Sequence, residues 1–140
     1  MSKVAVVFWS GTGNTEQMAN AVVDGITAAG GEAEVVAIAD FNAEKIDEYD
    51  AIAFGCPSMG AEQLEDTEFE PMFNSIEGKL SGKKIALFGS YGWGDGEWMR
   101  NWNEQCINDG AVMACDFVIC NEAPDDDAVT ACKALGAALV

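Results

Sequence analysis

The chain has 140 residues and a formal net charge of −17, from 24 acidic and seven basic residues. That length predicts one domain, residues 1–140, built around a single core. The charge argues against nucleic acid as a partner, because binding phosphates requires a basic surface. No apolar run approaches the ~20 residues that cross a bilayer. Lys3 leads directly into the first apolar run without a signal-peptide pattern, so we expect a cytoplasmic protein.

The residue types also limit the chemistry. There is no histidine, so transition-metal sites and acid–base catalysis lack their commonest ligand and base. None of the five cysteines forms a Cys-x-x-Cys or another spacing typical of zinc or of an iron–sulfur cluster. We therefore predict no metal site and interpret the cysteines as buried small hydrophobes in a reducing compartment.

Apolar runs and helical periodicity alternate along the first half of the chain. A continuous apolar run is typical of a strand that is covered on both faces, as in a parallel sheet. The pattern predicts strands at 4–9, 34–38 and 51–56, and helices at 15–29 and 43–48. A long loop over 57–67 follows.

The second half continues the alternation, with helices around Phe69–Ile76 and Trp98–Cys106, strands at 84–90 and 111–120, and a final helix after Asp125. Five βα units predict an α/β fold with an open parallel sheet and helices on both faces. Ligands of such sheets bind at the carboxyl ends of the strands. The loops after the first, third and fourth strands are therefore the candidate site.

The first of these loops reads Ser10-Gly11-Thr12-Gly13-Asn14-Thr15. Its glycines bring main-chain N–H groups toward a ligand, and the following helix adds unpaired N–H groups and the positive end of its dipole. A nucleoside-triphosphate loop would need a lysine, but residues 4–44 contain no basic residue. The dinucleotide fingerprint fails at Glu16, and the Cys and Arg of a phosphatase loop are missing. One terminal phosphomonoester fits best, and a merely capped helix start stays open.

The other two loops read Pro57-Ser58-Met59-Gly60-Ala61-Glu62 and Ser90-Tyr91-Gly92-Trp93-Gly94-Asp95-Gly96. Trp93 stands between glycines and has little local reason to lie in the core, whereas Trp98 and Trp102 have the helical spacing of core residues. The soft side chain of Met59 makes good contacts with an aromatic face. Met59 and Trp93 could therefore enclose a planar ring between them.

Together these three stretches resemble the short-chain flavodoxins of anaerobic bacteria such as clostridia, over essentially the whole chain. The resemblance implies a flavodoxin-like three-layer sandwich, with a five-stranded parallel sheet of order 2-1-3-4-5. It also implies non-covalently bound FMN and a low-potential one-electron carrier, not an enzyme, that shuttles mainly between neutral semiquinone and hydroquinone.

The resemblance further implies which residues bind FMN. Side chains for the phosphate are Ser10, Thr12, Asn14, Thr15 and Ser90, with the amides of Gly11 and Gly13. Met59 and Trp93 enclose the isoalloxazine ring, Glu62 accepts from flavin N3–H, and amides of Tyr91, Gly92, Trp93 and Gly94 meet the pyrimidine carbonyl. Asn121 approaches the cofactor, and Pro57, Ser58, Gly60 and Ala61 complete the second loop. Ala61 and Pro57 depart from residues common in the family, which affects the tuning of the potential and removes one phosphate donor.

Two features of the sequence affect the expected redox chemistry. Gly60 can adopt positive φ without a Cβ penalty, as is needed by the peptide that turns over on reduction in this family. The strongly negative protein makes an anionic reduced flavin costly, which lowers the second potential.

The implied partners are redox proteins with basic docking surfaces, such as oxidoreductases, reductases and hydrogenases, and the chain is expected to act as a monomer. The acidic residues of the second loop and the segment after it are Glu62, Glu65, Asp66, Glu68 and Glu70. Apart from Glu62, they are either a solvated helix start or a docking surface. A flavin-dependent quinone or nitro reductase and a domain that has lost its flavin remain as alternatives.

Overall fold

The computed structural model describes residues 2–60 and 62–140, so Ala61 lies outside the described residues. The strands are β1 Lys3–Phe8, β2 Glu32–Val35, β3 Ala51–Gly55, β4 Lys84–Tyr91, β5 Val112–Met113 and β6 Val118–Asn121. The helices are α1 Asn14–Ala28, α2 Ala43–Ile46, α3 Phe69–Ile76, α4 Glu97–Asn108 and α5 Asp126–Ala138, with 3₁₀ turns at Ile38–Asp40 and Glu77–Lys79. Every predicted helix is present within a few residues of its predicted bounds.

The sheet is parallel, with the order β2-β1-β3-β4-β5 and with β6 also paired to β4. This confirms the predicted order. The single strand predicted over 111–120 is instead two short strands that share one position beside β4. Met113 pairs with Ile85, and Val118 pairs with Phe88. Between these two pairs the edge strand advances by five residues, whereas β4 advances by three. The extra residues leave the ladder, as in a bulge, and interrupt the strand.

Alternating side chains of the strands build a core on each face of the sheet. Val4 and Val6 point to the face covered by α1 and α5, and Ala5 and Val7 point to the face covered by α3 and α4. Helices α1 and α5 pack closely against each other at Gly25. A Cβ at this position would lie 2.0 Å from the carbonyl oxygen of Lys133, so only glycine permits the approach. Helices therefore cover both faces, as predicted.

The face covered by α3 and α4 holds Trp98 and Trp102, both buried as their spacing predicts. The Trp98 Nε1–H donates to the carbonyl oxygen of Cys56 at 3.1 Å. This bond joins α4 to the end of β3. It therefore holds the start of the second loop against α4, the helix that follows the third loop.

The cysteines only partly match their prediction. Cys56, Cys106 and Cys132 are buried, and burial raises the pKa of each of these thiols to about 12. Cys115 and Cys120 are only half-buried, because they lie in the interrupted edge strand. In the described part of the chain, no helix combines the length and apolar character that crossing a membrane requires.

Candidate functional site

A cleft of about 200 Å³ lies at the carboxyl ends of β1, β3 and β4. Its lining residues are Trp9, Gly11, Thr12, Asn14, Thr15, Pro57, Ser58, Met59, Ser90, Tyr91, Gly92 and Glu122. The cleft thus brings together members of all three predicted loops, at the edge of the sheet where the topology places a ligand. The N–H of Ser58 donates to the carbonyl oxygen of Ser90 at 3.0 Å and ties the second loop to the third.

The first loop leads directly into α1. Gly13 has φ 94° in the left-handed region, and Asn14 begins the helix. The Ser10 Oγ accepts from the N–H groups of Gly13 at 3.1 Å and Glu16 at 3.2 Å, so Ser10 braces the loop from within and is not part of the lining. Because that oxygen accepts both bonds, its own proton is left to donate elsewhere.

Thr15 carries an unused polar atom in this loop. The residue is only 1% exposed, and its Oγ1 has no hydrogen-bond partner among the described residues. A buried hydroxyl without a partner costs free energy unless something supplies one. Since Thr15 lines the cleft at the amino end of α1, an anionic group there would supply it.

The second loop forms a tight turn. Met59 and Gln63 exchange backbone hydrogen bonds of 2.8 and 3.0 Å, and Gly60 has φ 55°. A Cβ on Gly60 would meet nothing closer than Gln63 Nε2 at 3.8 Å. The requirement for glycine here is therefore one of backbone conformation and not of space.

Glu62 connects the second loop to the third. Its Oε1 accepts from the N–H of Asp95 at 2.9 Å, and its Oε2 is buried without a partner among the described residues. A Cβ on Gly94 would lie 1.4 Å from Oε1, so only glycine leaves room for this carboxylate. One oxygen is thus engaged by the protein and the other is left to accept from a donor.

In the third loop, Ser90 is buried and its hydroxyl donates to the carbonyl oxygen of Glu122 at 2.6 Å. The carbonyl oxygen of Tyr91 accepts from the Glu122 N–H at 2.8 Å and from Asn121 Nδ2 at 3.3 Å. Both contacts attach the third loop to the end of β6. Asn121 itself is exposed and lies outside the lining.

Trp93 is 63% exposed and does not line the cleft, whereas Met59 does. The enclosure of a ring between these two side chains therefore stays a prediction. Gly13, Gly60, Glu62 and Gly94 also lie outside the lining, and each instead shapes a loop that borders the cleft.

Two lining residues, Trp9 and Glu122, were missed from the sequence. The ring of Trp9 lies over Gly11, where a Cβ would come within 2.8 Å of Cη2. Glu122 adopts φ 59°, which is uncommon for a non-glycine residue. Their positions in the sequence could have indicated both residues, because each directly follows a strand at the edge of the sheet where ligands bind.

The acidic cluster beside the second loop contains one residue that fits neither of its two interpretations. Glu65 is 4% exposed, and its carboxylate accepts from the N–H groups of Thr67, Glu68 and Phe69 and from the Thr67 hydroxyl. It therefore caps the start of α3. Burial acts to raise the pKa of Glu65, but these hydrogen bonds outweigh it and hold that pKa below its usual range.

The fold is that of a doubly wound α/β protein, and its cleft is bordered by two loops that each carry a buried polar atom without a partner among the described residues, Thr15 Oγ1 and Glu62 Oε2. A family model described as flavodoxin matches residues 6–135, and the chain belongs to the flavodoxin family. It is 47% identical to a flavodoxin of Megasphaera elsdenii over 135 residues, 96% of each chain. It is 45% identical to a flavodoxin of Clostridium beijerinckii over 121 residues, which cover 86% of this chain and 88% of that one.

The fold agrees with solved structures of this family. The solution structure of two-electron reduced Megasphaera elsdenii flavodoxin matches with a TM-score of 0.89 over 97% of each chain. Flavodoxins are electron carriers that use FMN and are not enzymes, and this chain is an FMN-dependent electron carrier of that kind. The unpartnered atoms of Thr15 and Glu62 fit that cofactor, since FMN has a terminal phosphate and a ring N3–H.

Proposed function

We propose that the chain is a low-potential one-electron carrier whose FMN lies in the cleft and shuttles mainly between neutral semiquinone and hydroquinone. One observation carries the placement of FMN. Thr15 Oγ1 and Glu62 Oε2 are buried without partners in two different loops that border one cleft. A ligand with an anion at one end and a ring N–H at the other supplies both missing partners.

The phosphate would be held by neutral donors of the first loop. These are the side chains of Ser10, Thr12, Asn14 and Thr15 with the main-chain amides of Gly11 and Gly13. The amino end of α1 adds its dipole, which favours an anion even where no lysine is present. Ser90 is assigned to the phosphate as well, and that contact requires its proton to leave the Glu122 carbonyl.

The ring would lie against Met59, with Trp93 covering its other face. Trp93 is a large exposed aromatic residue followed by Gly94 at φ 87°, so rotation of this segment would bury it against a ligand. Glu62 Oε2 would accept from N3–H. The amides of Tyr91, Gly92, Trp93 and Gly94 would meet the pyrimidine carbonyl, with Pro57, Ser58, Gly60, Ala61 and Asn121 completing the contacts.

Two features support the low potential, and a third, the conformation of Gly60, supports the neutral semiquinone. The net charge of −17 opposes a second negative charge on the reduced cofactor. Arg100, in the helix that follows the third loop, is paired with Asp95 at 3.0 Å, and this pairing offsets part of its charge. Gly60, already in the left-handed region, can present its carbonyl to the ring without strain.

The proposed partners are redox proteins with basic docking surfaces, such as oxidoreductases, reductases and hydrogenases. We propose that they bind this protein in the cytoplasm, where it acts as a monomer with a single domain over residues 1–140. Asp66 and Glu68 are exposed beside the second loop, which supports docking there. Electron transfer to such a partner should slow as salt is added, because screening weakens attraction between exposed charges. A rate independent of salt at low ionic strength would contradict this.

The test is spectroscopic. Apoprotein is titrated with FMN, and the complex is then reduced in steps without oxygen while its visible spectrum is recorded. We expect stoichiometric binding and a blue neutral intermediate during reduction. Failure to bind FMN would refute the function, reduction without that intermediate would refute one-electron shuttling, and turnover of NAD(P)H with a quinone would favour the reductase alternative.

A further inference from the structure

Arg100 of α4 holds the third loop by two contacts to one residue. Its Nη1 donates to the main-chain carbonyl oxygen of Asp95 at 2.9 Å, and its Nη2 donates to Asp95 Oδ1 at 3.0 Å. The planar guanidinium makes both bonds at once, which the single ammonium of a lysine cannot reproduce with the same geometry.

Asp95 in turn holds Glu62. The N–H of Asp95 donates to Glu62 Oε1 at 2.9 Å, while Glu62 Oε2 is the buried oxygen without a partner. Arg100, Asp95 and Glu62 therefore form one continuous chain of contacts, which passes through the carbonyl oxygen, carboxylate and N–H of Asp95. The chain runs from the surface of α4 to the oxygen that is proposed to face the flavin.

The third loop requires such an external support because its own backbone is permissive. Gly94 and Gly96 flank Asp95, with φ 87° and φ 93°. Glycine has more conformational freedom to lose than any other residue, so ordering this loop around a ligand is costly unless it is already held. The contacts to Arg100 hold it from one rigid helix.

We propose that Arg100 is a positioning residue for the cofactor, acting through the Asp95 amide to fix the direction of the Glu62 carboxylate. The inference rests on the proposed function in one respect, the placement of Glu62 at the N3–H of FMN. It goes beyond that function by assigning a role to a residue outside the three loops.

The experiment compares Arg100→Gln and Arg100→Lys in full-length protein. Lys79→Gln is the matched control, because it removes one positive charge from another exposed pair, Lys79 with Asp47 at 3.1 Å. Three quantities are measured: the FMN dissociation constant, both one-electron midpoint potentials, and the hydrogen-exchange rate of the Asp95 amide in apoprotein. Each Arg100 variant is also made in a Glu62→Ala background, where the proposed route is absent.

We expect Arg100→Gln and Arg100→Lys each to raise the FMN dissociation constant about fivefold and to speed Asp95 exchange by a similar factor. Both should shift the potentials, and Lys79→Gln should not. In the Glu62→Ala background, Arg100→Gln should change FMN affinity by less than about twofold, because its effect passes through Glu62.

The proposal is overturned if Arg100→Lys behaves as wild type, since charge alone would then suffice. It is also overturned if the Arg100→Gln effect on affinity persists undiminished in the Glu62→Ala background. Failure of wild-type apoprotein to bind FMN would refute the proposed function instead. In that case Asp95 exchange still decides whether Arg100 holds the loop, and an unchanged rate overturns the inference.

Discussion

Thr15→Val isolates the unpartnered hydroxyl at the end of the cleft where the phosphate is proposed to bind. Valine has nearly the shape of threonine but no hydroxyl, so packing around this 1% exposed residue is preserved. A hydrogen bond to a charged group contributes about 1.5–3 kcal/mol, and each 1.4 kcal/mol changes a dissociation constant tenfold. We therefore expect FMN to bind about 10- to 100-fold more weakly.

The same substitution should have the opposite effect on the empty protein. Thr15 Oγ1 is a buried polar atom without a partner among the described residues, and removing such an atom relieves a desolvation cost. Apoprotein carrying Thr15→Val should be as stable as wild type or up to about 1 kcal/mol more stable in urea unfolding.

The assay is fluorescence titration of apoprotein with FMN and, in parallel, with riboflavin, which lacks the phosphate. Affinity for riboflavin should not change. Thr27→Val, at an exposed position of the same helix, is the matched control. If Thr15→Val weakened both flavins equally, or destabilised apoprotein by more than about 1 kcal/mol, the hydroxyl would serve the fold and not the phosphate.

Three further substitutions test other parts of the structure. Glu65→Gln should lower stability by about 1–3 kcal/mol, because the amide cannot accept on both sides at the start of α3. Because the pKa of Glu65 is lowered in the folded protein, the full loss of stability should be seen above the unfolded pKa of this group, and the loss should shrink as the pH falls through the folded pKa. Urea unfolding at several pH values checks this, with Glu68→Gln as the control. A loss that does not depend on pH would contradict the prediction. Gly60→Thr should make the first potential more negative by roughly 40–90 mV, because the peptide that is proposed to turn over on reduction would add ~1–2 kcal/mol of backbone strain to the reduced form alone. Gly82→Thr, at φ 78° outside the cleft, should change only stability. A redox titration without that difference would remove Gly60 from the mechanism. Burial and the neighbouring Glu77 raise the pKa of Asp109, so its ionised form destabilises the folded protein at neutral pH. Asp109→Asn should therefore stabilise the protein by about 1 kcal/mol at neutral pH and not in acid. Equal thermal unfolding temperatures for the variant and the wild type at neutral pH would refute this.

Local sequence determined most of the fold. Unbroken apolar runs at β1, β3 and β4 are typical of strands covered on both faces, and helical periodicity between them favours a parallel sheet. The carboxyl-end rule then predicted the edge of the sheet at which the cleft lies, and the absence of lysine from residues 4–44 restricted the side chains of the first loop to neutral donors.

Tertiary structure alone decided the features that depend on residues distant in the chain. The break in the last strand arises from its register against β4, which lies more than 20 residues away in the chain. Trp9 and Glu122 enter the lining because separate strands end at one edge. The link from Arg100 through Asp95 to Glu62 joins three positions whose spacing predicts no contact, because hydrogen bonds between loops are set by the packing of the elements that carry them.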